Sequence, residues 1–174
     1  EIVLVISDRE GAFALQRAAN ANIEGKYIKK GADFEQNLIA ALDNAKIDVI
    51  VLAGFLSILS ENFVKRYDKK IINVHPSLIP SFCGKGFYGL YVHEAALAKG
   101  VKVSGATVHI VTPECDAGPI ILQKAVEVKQ DDTPEILQRR IMEEAEWKIL
   151  PEAVRLFCED KITVTDNKVY IKGE

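Results

Sequence analysis

The sequence predicts an α/β fold of three layers, in which helices cover both faces of a mostly parallel, twisted sheet and a C-terminal hairpin follows. Short apolar runs rich in valine and isoleucine alternate with segments of helical periodicity, the pattern of parallel strands joined by right-handed crossovers. The 174 residues are 48% hydrophobic and 27% charged, which suffices for one hydrophobic core. We therefore expect a single domain over residues 1–174 with a Rossmann-type order of elements.

In the first half of the chain, strand and helix patterns alternate strictly. Asp33 with Gln36 three residues later forms an N-cap signature, which opens a helix with apolar residues at helical spacing. Ser60 can cap a shorter helix that carries Phe63 and Val64. A further helix is expected over residues 12–21, and strands are expected over residues 1–7, 26–28, 48–52 and 70–74.

The second half begins with a segment crowded with glycine, proline and aromatic residues, 76–91, which predicts a long ordered loop. A helix over 92–99 and strands over 102–111 and 120–128 should follow.

The C-terminal part predicts one long helix and a hairpin. Thr133, Pro134 and Glu135 supply a cap, an N1 proline and a first-turn acid, so a helix should begin here. It should run through Trp147 toward Leu156, with Pro151 inside it or kinking it. Residues 162–171 alternate in polarity around Asp166 and Asn167 and predict a hairpin.

Composition excludes several classes of partner. The net charge of −3 gives no basic footprint for nucleic acid, and no apolar run approaches the roughly 20 residues of a membrane-spanning helix. Cys83, Cys115 and Cys158 are an odd number without Cys-x-x-Cys spacing, so neither a disulfide framework nor a zinc site is indicated. We expect a reducing, cytoplasmic environment.

The candidate chemistry lies in three segments that follow strands: 53–59, 73–80 and 114–118. Ligands of open parallel sheets bind outside the carboxyl ends of the strands. Asn73 and His75 are two residues apart, so their side chains share one face, and their N–H groups can hold a developing oxyanion. Asp116 can stabilise a charged His75 and accept or relay the proton of an attacking amine.

Structural roles are the alternative for each of these residues. A histidine at a strand end can simply pack, an asparagine can end a strand, and Asp116 can be a turn residue. His93 and His109 fit a helix start and an alternating strand, and the three histidines lack zinc spacing, so we expect no metal. Cys115 adjoins Asp116, which should raise its pKa and disfavour a catalytic thiolate.

Five segments together carry a specific resemblance over nearly the whole chain. In order they are A-G-F-L-S-I-L from Ala53, N-V-H-P-S-L-I-P-S-F from Asn73, H-E-A-A-L from His93, G-A-T-V-H-I-V from Gly105, and D-A-G-P-I-I-L-Q from Asp116. The chain resembles the family of folate-dependent formyltransferases. The resemblance implies a formyltransferase-like fold and transfer of a formyl group from 10-formyltetrahydrofolate to the amine of glycinamide ribonucleotide, by a monomer or homodimer.

The resemblance also assigns site residues. It makes Asn73, His75 and Asp116 catalytic, and Pro76 and Glu146 contacts of the acceptor, with Glu146 on its ribose hydroxyls. The folate-binding residues that it implies are Leu56, Ser57, Ile58, Leu59, Asn73, Thr112, Pro113, Glu114, Cys115 and Asp116.

Three departures from the family pattern bear on binding. Residues 2–7 run into Asp8, as the family's second strand does, so we expect the family's first strand and phosphate loop to be missing from this sequence. Residues 84–90 are an insertion that can reshape the cleft entrance. Ser57 stands where many relatives carry arginine, which affects a side-chain contact but no backbone contact.

Two other functions stay open. A formyltetrahydrofolate hydrolase would use water in place of the amine, and a doubly wound nucleotide-binding module would not catalyse. The absence of Gly-x-Gly-x-x-Gly speaks against the second.

Overall fold

The structure is a computed structural model that describes residues 1–173, and the chain forms two compact units, Glu1–Asp48 and the part from Val49 onward. Strands and helices alternate through most of the chain, which confirms the α/β class. The single domain over 1–174 stays a prediction, and its last residue lies outside the described part. No helix among residues 1–173 combines the length and apolar character that crossing a membrane requires.

The first unit contains β1 (Leu4–Ser7), α1 (Phe13–Asn20), β2 (Glu24–Tyr27) and α2 (Phe34–Asn44). β1 and β2 pair in parallel, as predicted for strands joined by a helix. α2 begins directly after Asp33, but the side chain of Asp33 makes no capping hydrogen bond. The predicted cap is therefore wrong, because φ −96° and ψ 11° at Asp33 are not the extended conformation that a capping residue adopts.

The second unit contains a four-stranded sheet of β3 (Ile50–Leu52), β4 (Ile71–His75), β5 (Val103–Ile110) and β6 (Ile120–Glu127), in that order. Only β3 and β4 are parallel, whereas β4–β5 and β5–β6 are antiparallel. The expectation of a mostly parallel sheet is wrong here. Residues 111–119 between β5 and β6 are too few for a crossover, so the chain must turn back on itself.

Two helices of the second unit begin at the predicted caps. α3 (Glu61–Arg66) is capped by Ser60, whose Oγ accepts the Phe63 N–H at 3.1 Å. α4 (Leu90–Lys99) begins two residues before the predicted start at 92. Thr133 caps α5 (Pro134–Ile141) by accepting the Ile136 N–H at 3.3 Å.

The long C-terminal helix contains one feature that the sequence does not indicate. Between α5 and α6 (Trp147–Cys158), residues Met142–Glu146 form a π-helical turn, and Pro151 lies inside α6. The predicted hairpin is confirmed as β7 (Ile162–Thr165) and β8 (Lys168–Ile171). Asp166 and Asn167 between them both have positive φ, as a two-residue type I′ turn requires.

The two faces of the four-stranded sheet differ in polarity, and this difference positions the site. Alternate residues of β4 and β5, namely Ile72, Ala106, Val108 and Ile110, are buried in the core. They share this core with Leu137, Ile141, Ala145, Ile149 and Ala153 of the C-terminal helices. Since side chains alternate along a strand, the intervening polar residues occupy the opposite face. They are Asn73, His75, Thr107 and His109.

Candidate active site

Four polar side chains meet on the polar face of the sheet. Asn73 Nδ2 lies 3.2 Å from His109 Nε2, across the antiparallel pair in which these two residues stand opposite each other. Asp116 reaches both imidazoles, with Oδ1 at 3.6 Å from His109 Nε2 and Oδ2 at 3.6 Å from His75 Nδ1. The structure thus brings together the three residues predicted as catalytic, and adds His109 between Asn73 and Asp116.

The 111–119 loop carries Asp116 back over this face. Ile110 N–H donates to Pro119 O at 2.9 Å, which closes the loop at its base. A Cβ at Gly118 would lie only 1.8 Å from Ile110 O, so only glycine fits there. Asp116 has φ +54°, a conformation that aspartate tolerates better than most residues. Local backbone geometry therefore determines where this carboxylate lies.

The loop over 76–89 supplies the other side of the site and is ordered by buried hydrogen bonds. Thr107 Oγ1 donates to Ser77 O at 2.6 Å and accepts from the Ile79 N–H at 3.1 Å. Ser77 Oγ donates to Ser81 O at 2.6 Å. The loop also contacts the carboxylate of Asp116, since the Gly84 N–H donates to Asp116 Oδ2 at 2.8 Å. The predicted ordered loop is confirmed, and the first residue of the 84–90 insertion contacts the site directly.

His75 is almost fully enclosed, with 5% of its surface exposed. Its Nε2–H donates to Phe82 O at 2.9 Å, which leaves Nδ1 facing Asp116. Burial lowers the pKa of His75 below 6.5, although the Phe82 carbonyl and the charge of Asp116 oppose this shift. The resting imidazole is therefore mainly neutral at neutral pH, in contrast to the charged His75 that the sequence suggested.

Asp116 is ionised under all ordinary conditions. Burial alone would raise its pKa, but the neighbouring His109 side chain and the hydrogen bond from the Gly84 N–H, followed by the electrostatic effect of the two imidazoles, lower it to about 2. The carboxylate is thus a fixed negative charge between two imidazoles.

Cys115 and Cys83 both lie near Asp116 but are poor nucleophiles. Burial and then the nearby Asp116 carboxylate raise the pKa of both thiols. The prediction that a carboxylate neighbour disfavours a thiolate at Cys115 is confirmed. Among residues 1–173 no group of three or more His, Cys, Asp or Glu side chains is arranged to hold a metal ion.

A cleft of about 670 Å³ opens beside Asp116. Residues 114–118 form one wall, of which Glu114, Cys115 and Asp116 belong to the predicted folate loop, with Ile79, Pro80 and Cys83 from the preceding loop. Residues 167–170 of the C-terminal hairpin form another wall, and Asn167 Nδ2 donates to Ala117 O at 3.5 Å. This second wall could not be predicted from sequence motifs, because the hairpin is about 50 residues away from Ala117 along the chain.

The other predicted binding residues lie outside the cluster. The segment Leu56, Ser57, Ile58 and Leu59 follows β3 without regular structure, and Leu56 and Ile58 expose 49% and 74% of their surface. Pro76 directly follows β4, and Thr112 and Pro113 begin the loop that carries Asp116. Glu146 is half-buried in the π-helical turn, burial raises its pKa, and no hydrogen bond or ion pair joins it to the described residues.

His93 is the third buried histidine, and its environment differs from that of the other two. It is fully buried in α4, and neither ring nitrogen has a hydrogen-bond partner within residues 1–173. Burial, and to a lesser extent the charge of His75, lowers the pKa of His93 to about 4. The ring is therefore neutral in the folded protein at neutral pH.

Protonation of His93 should make the stability of the protein depend on pH. The unfolded chain binds this proton near pH 6.5 and the folded chain near pH 4, so stability is full above pH 6.5 and falls below it. From pH 7.5 to pH 5.0, urea denaturation should show a loss of up to about 2 kcal/mol through this group. His93→Leu should lose correspondingly less, while the contribution of His75 is common to both proteins. Equal losses in the two proteins would contradict this assignment.

A carboxamide, two imidazoles and an ionised carboxylate gathered on one face of an α/β sheet define an enzyme of acid–base group transfer. A family model described as formyl transferase matches residues 1–154. The chain belongs to the formyl transferase family, which confirms the resemblance seen in the sequence motifs.

Individual relatives agree with this family. A solved structure of phosphoribosylglycinamide formyltransferase from Anaplasma phagocytophilum superimposes with a TM-score of 0.93 at 40% identity, covering 100% of this chain and 83% of that one. A formyltetrahydrofolate deformylase from Pseudomonas syringae pv. tomato has a TM-score of 0.84 at 30% identity, covering 98% and 56%. The trifunctional purine biosynthetic protein adenosine-3 of Gallus gallus is 41% identical over 169 residues, 94% of this chain. The chain spans only 16% of that relative's length.

Proposed function

We propose that this protein transfers the formyl group of 10-formyltetrahydrofolate to the amine of glycinamide ribonucleotide, a step of purine biosynthesis. The observation that carries the proposal is the convergence of Asn73, His75 and Asp116 on one polar face beside a cleft. The family membership and the names of the formyltransferase relatives support the same reaction.

Asn73 is proposed to bind the oxyanion of the tetrahedral intermediate. When the amine nitrogen attacks the formyl carbon, a carbon–nitrogen bond forms and negative charge develops on the formyl oxygen. The Asn73 amide has two hydrogens, of which one is directed to His109 Nε2, so the second is available for this oxygen.

His75 and Asp116 are proposed to handle the proton of the amine. The neutral His75 ring carries its hydrogen on Nε2, which donates to Phe82 O, so Nδ1 has a lone pair. Asp116 Oδ2 lies 3.6 Å from this nitrogen and can relay the proton to it. The resulting imidazolium is stabilised by the carboxylate, and its positive charge favours the nearby oxyanion without a direct hydrogen bond. Collapse of the intermediate breaks the bond to folate N10, and His75 returns the proton to N10.

The binding of the two substrates is proposed to follow the resemblance. The exposed apolar side chains of Leu56 and Ile58 suit a flat heterocycle such as the pteridine of the folate, with the 112–116 loop facing it. Glu146 has an unpaired, half-buried carboxylate, which can accept hydrogen bonds from the ribose hydroxyls of the acceptor. Pro76 is proposed to contact the same acceptor.

The cytoplasm is proposed as the site of action, because all three cysteines are free thiols. We further expect a monomer or homodimer that uses no metal and binds no nucleic acid.

An absorbance assay tests the proposed function. The complete protein that carries this chain is mixed with 10-formyltetrahydrofolate, with and without glycinamide ribonucleotide, and the ultraviolet absorbance of the folate product is followed. We expect product to form only when the nucleotide is present, since the amine is the acceptor. Asp116→Asn in the same assay controls for spontaneous loss of the formyl group.

The same assay separates the alternatives. Product that forms equally without the nucleotide would replace the proposal with a hydrolase, the reaction named for the deformylase relative. If no product forms under either condition, the result would favour a binding module without catalytic activity.

A further inference from the structure

His109 lies within the fourth of the five motif segments, but neither the resemblance nor the proposed reaction assigns it a role. It is 2% exposed and stands directly opposite Asn73 in the β4–β5 pair. Its Nδ1 lies 3.1 Å from the carbonyl oxygen of Ile110, its Nε2 lies 3.2 Å from Asn73 Nδ2, and the same nitrogen lies 3.6 Å from Asp116 Oδ1. Both ring nitrogens are therefore engaged, one by the backbone and one by the proposed catalytic groups.

The backbone contact determines which nitrogen of His109 carries a hydrogen. A carbonyl oxygen can only accept, so the hydrogen of the neutral ring must lie on Nδ1, toward Ile110. Nε2 then has a lone pair, which accepts one N–H of the Asn73 amide. This pairing fixes the amide with its nitrogen toward His109, since the amide oxygen would face the lone pair in the reverse orientation.

With hydrogens on both ring nitrogens, Nε2 could no longer accept from Asn73 and would donate toward the amide oxygen or toward Asp116 Oδ1. The orientation of the Asn73 amide thus depends on His109 remaining a hydrogen-bond acceptor.

We propose that His109 is a positioning residue, which holds the Asn73 carboxamide so that its second N–H is directed at the oxygen of the formyl group. The catalytic consequence of this inference rests on the proposed function, whereas the orientation of the Asn73 amide does not depend on it. His109 touches neither substrate in this scheme and acts only through Asn73.

Two variants separate positioning from a general structural role. His109→Asn keeps a donor near the position of Nδ1 and loses the group at Nε2, whereas His109→Gln keeps an acceptor that reaches the position of Nε2. A misplaced catalytic donor costs on the order of 100-fold in rate, so we expect this fall in kcat for His109→Asn, with folate affinity nearly unchanged. His109→Gln should recover kcat to within about 10-fold of the unchanged protein.

A double-mutant cycle then tests whether the effect passes through Asn73. In the Asn73→Ala background, His109→Asn should change kcat by less than about 3-fold, because the group that it positions is already gone. Full additivity of the two losses overturns the inference while leaving formyl transfer intact. Equal kcat values for His109→Asn and His109→Gln overturn it as well, since they would indicate a packing role.

A third measurement does not depend on turnover. The two side-chain N–H resonances of Asn73, assigned by their absence in Asn73→Ala, should be slow to exchange with solvent in the unchanged protein and in His109→Gln. In His109→Asn they should exchange at least about 10-fold faster, since the buried acceptor is lost. Unaltered exchange in His109→Asn overturns the inference even in a protein that transfers no formyl group.

Discussion

Asn73→Ala is expected to lower kcat by about 100- to 1000-fold, the usual loss when one oxyanion donor is removed. The Asn73 amide stabilises the negative charge on the formyl oxygen, which develops only as the transition state is reached. The affinity for the folate should therefore change by less than about 3-fold. The backbone of β4 is unaffected by the change, because its pairing with β3 and β5 uses main-chain groups. Stopped-flow turnover and fluorescence titration of a folate analogue measure the two quantities.

Asn73→Asp is the matched control for this prediction. Aspartate has the size and shape of asparagine but no N–H, and it adds a negative charge beside Asp116. We expect it to be at least as inactive as Asn73→Ala, although it fills the same volume. Wild-type turnover in either variant would remove Asn73 from the proposed oxyanion site, whatever the geometry of the cluster.

The elements of the fold could be predicted because their signals are local. The Ser60 and Thr133 caps and the Asp166–Asn167 turn each depend on residues within three or four positions of one another, and the structure has all three. Asp33 shows the limit of such signals, since the same kind of pattern precedes a helix there without forming the bond.

The direction of β5 and β6 could not be predicted in the same way. A parallel and an antiparallel strand have the same apolar alternation, and what distinguishes them is the path of the chain between them. The 111–119 segment is rich in turn formers, and its length already excludes a crossover helix. That length was the available signal for the antiparallel pair.

The catalytic surroundings of His109 depend on the same strand direction. Only the antiparallel register sets His109 opposite Asn73, and only the fold of the 111–119 loop brings Asp116 to the same nitrogen. The motif residues could be predicted because their types are chemically informative. The residue that connects them depends on pairing between segments about 36 positions apart, which periodicity within one segment does not encode.

Asp116→Asn is expected to lower kcat by about 100- to 10,000-fold, the range for loss of a proton-transfer group. The substitution removes the negative charge of residue 116 and keeps the shape of its side chain. The asparagine oxygen can still accept the Gly84 N–H, and asparagine tolerates the φ of +54° at this position. The fold should therefore be retained, although the stabilisation due to the ionised carboxylate is lost, whereas Asp116→Ala would also lose the contact with Gly84.

An NMR titration of His75 provides the second measurement on Asp116→Asn. The negative charge of Asp116 raises the pKa of His75, while burial, the larger effect, lowers it. Removing the charge leaves burial with less opposition, so the pKa of His75 must fall further and its ring must titrate at lower pH in an NMR titration. A variant that keeps both its turnover and the titration of His75 would show that the carboxylate is a loop residue without a part in the reaction. Loss of turnover with an unshifted His75 would instead separate the carboxylate from the imidazole and break the proposed proton path.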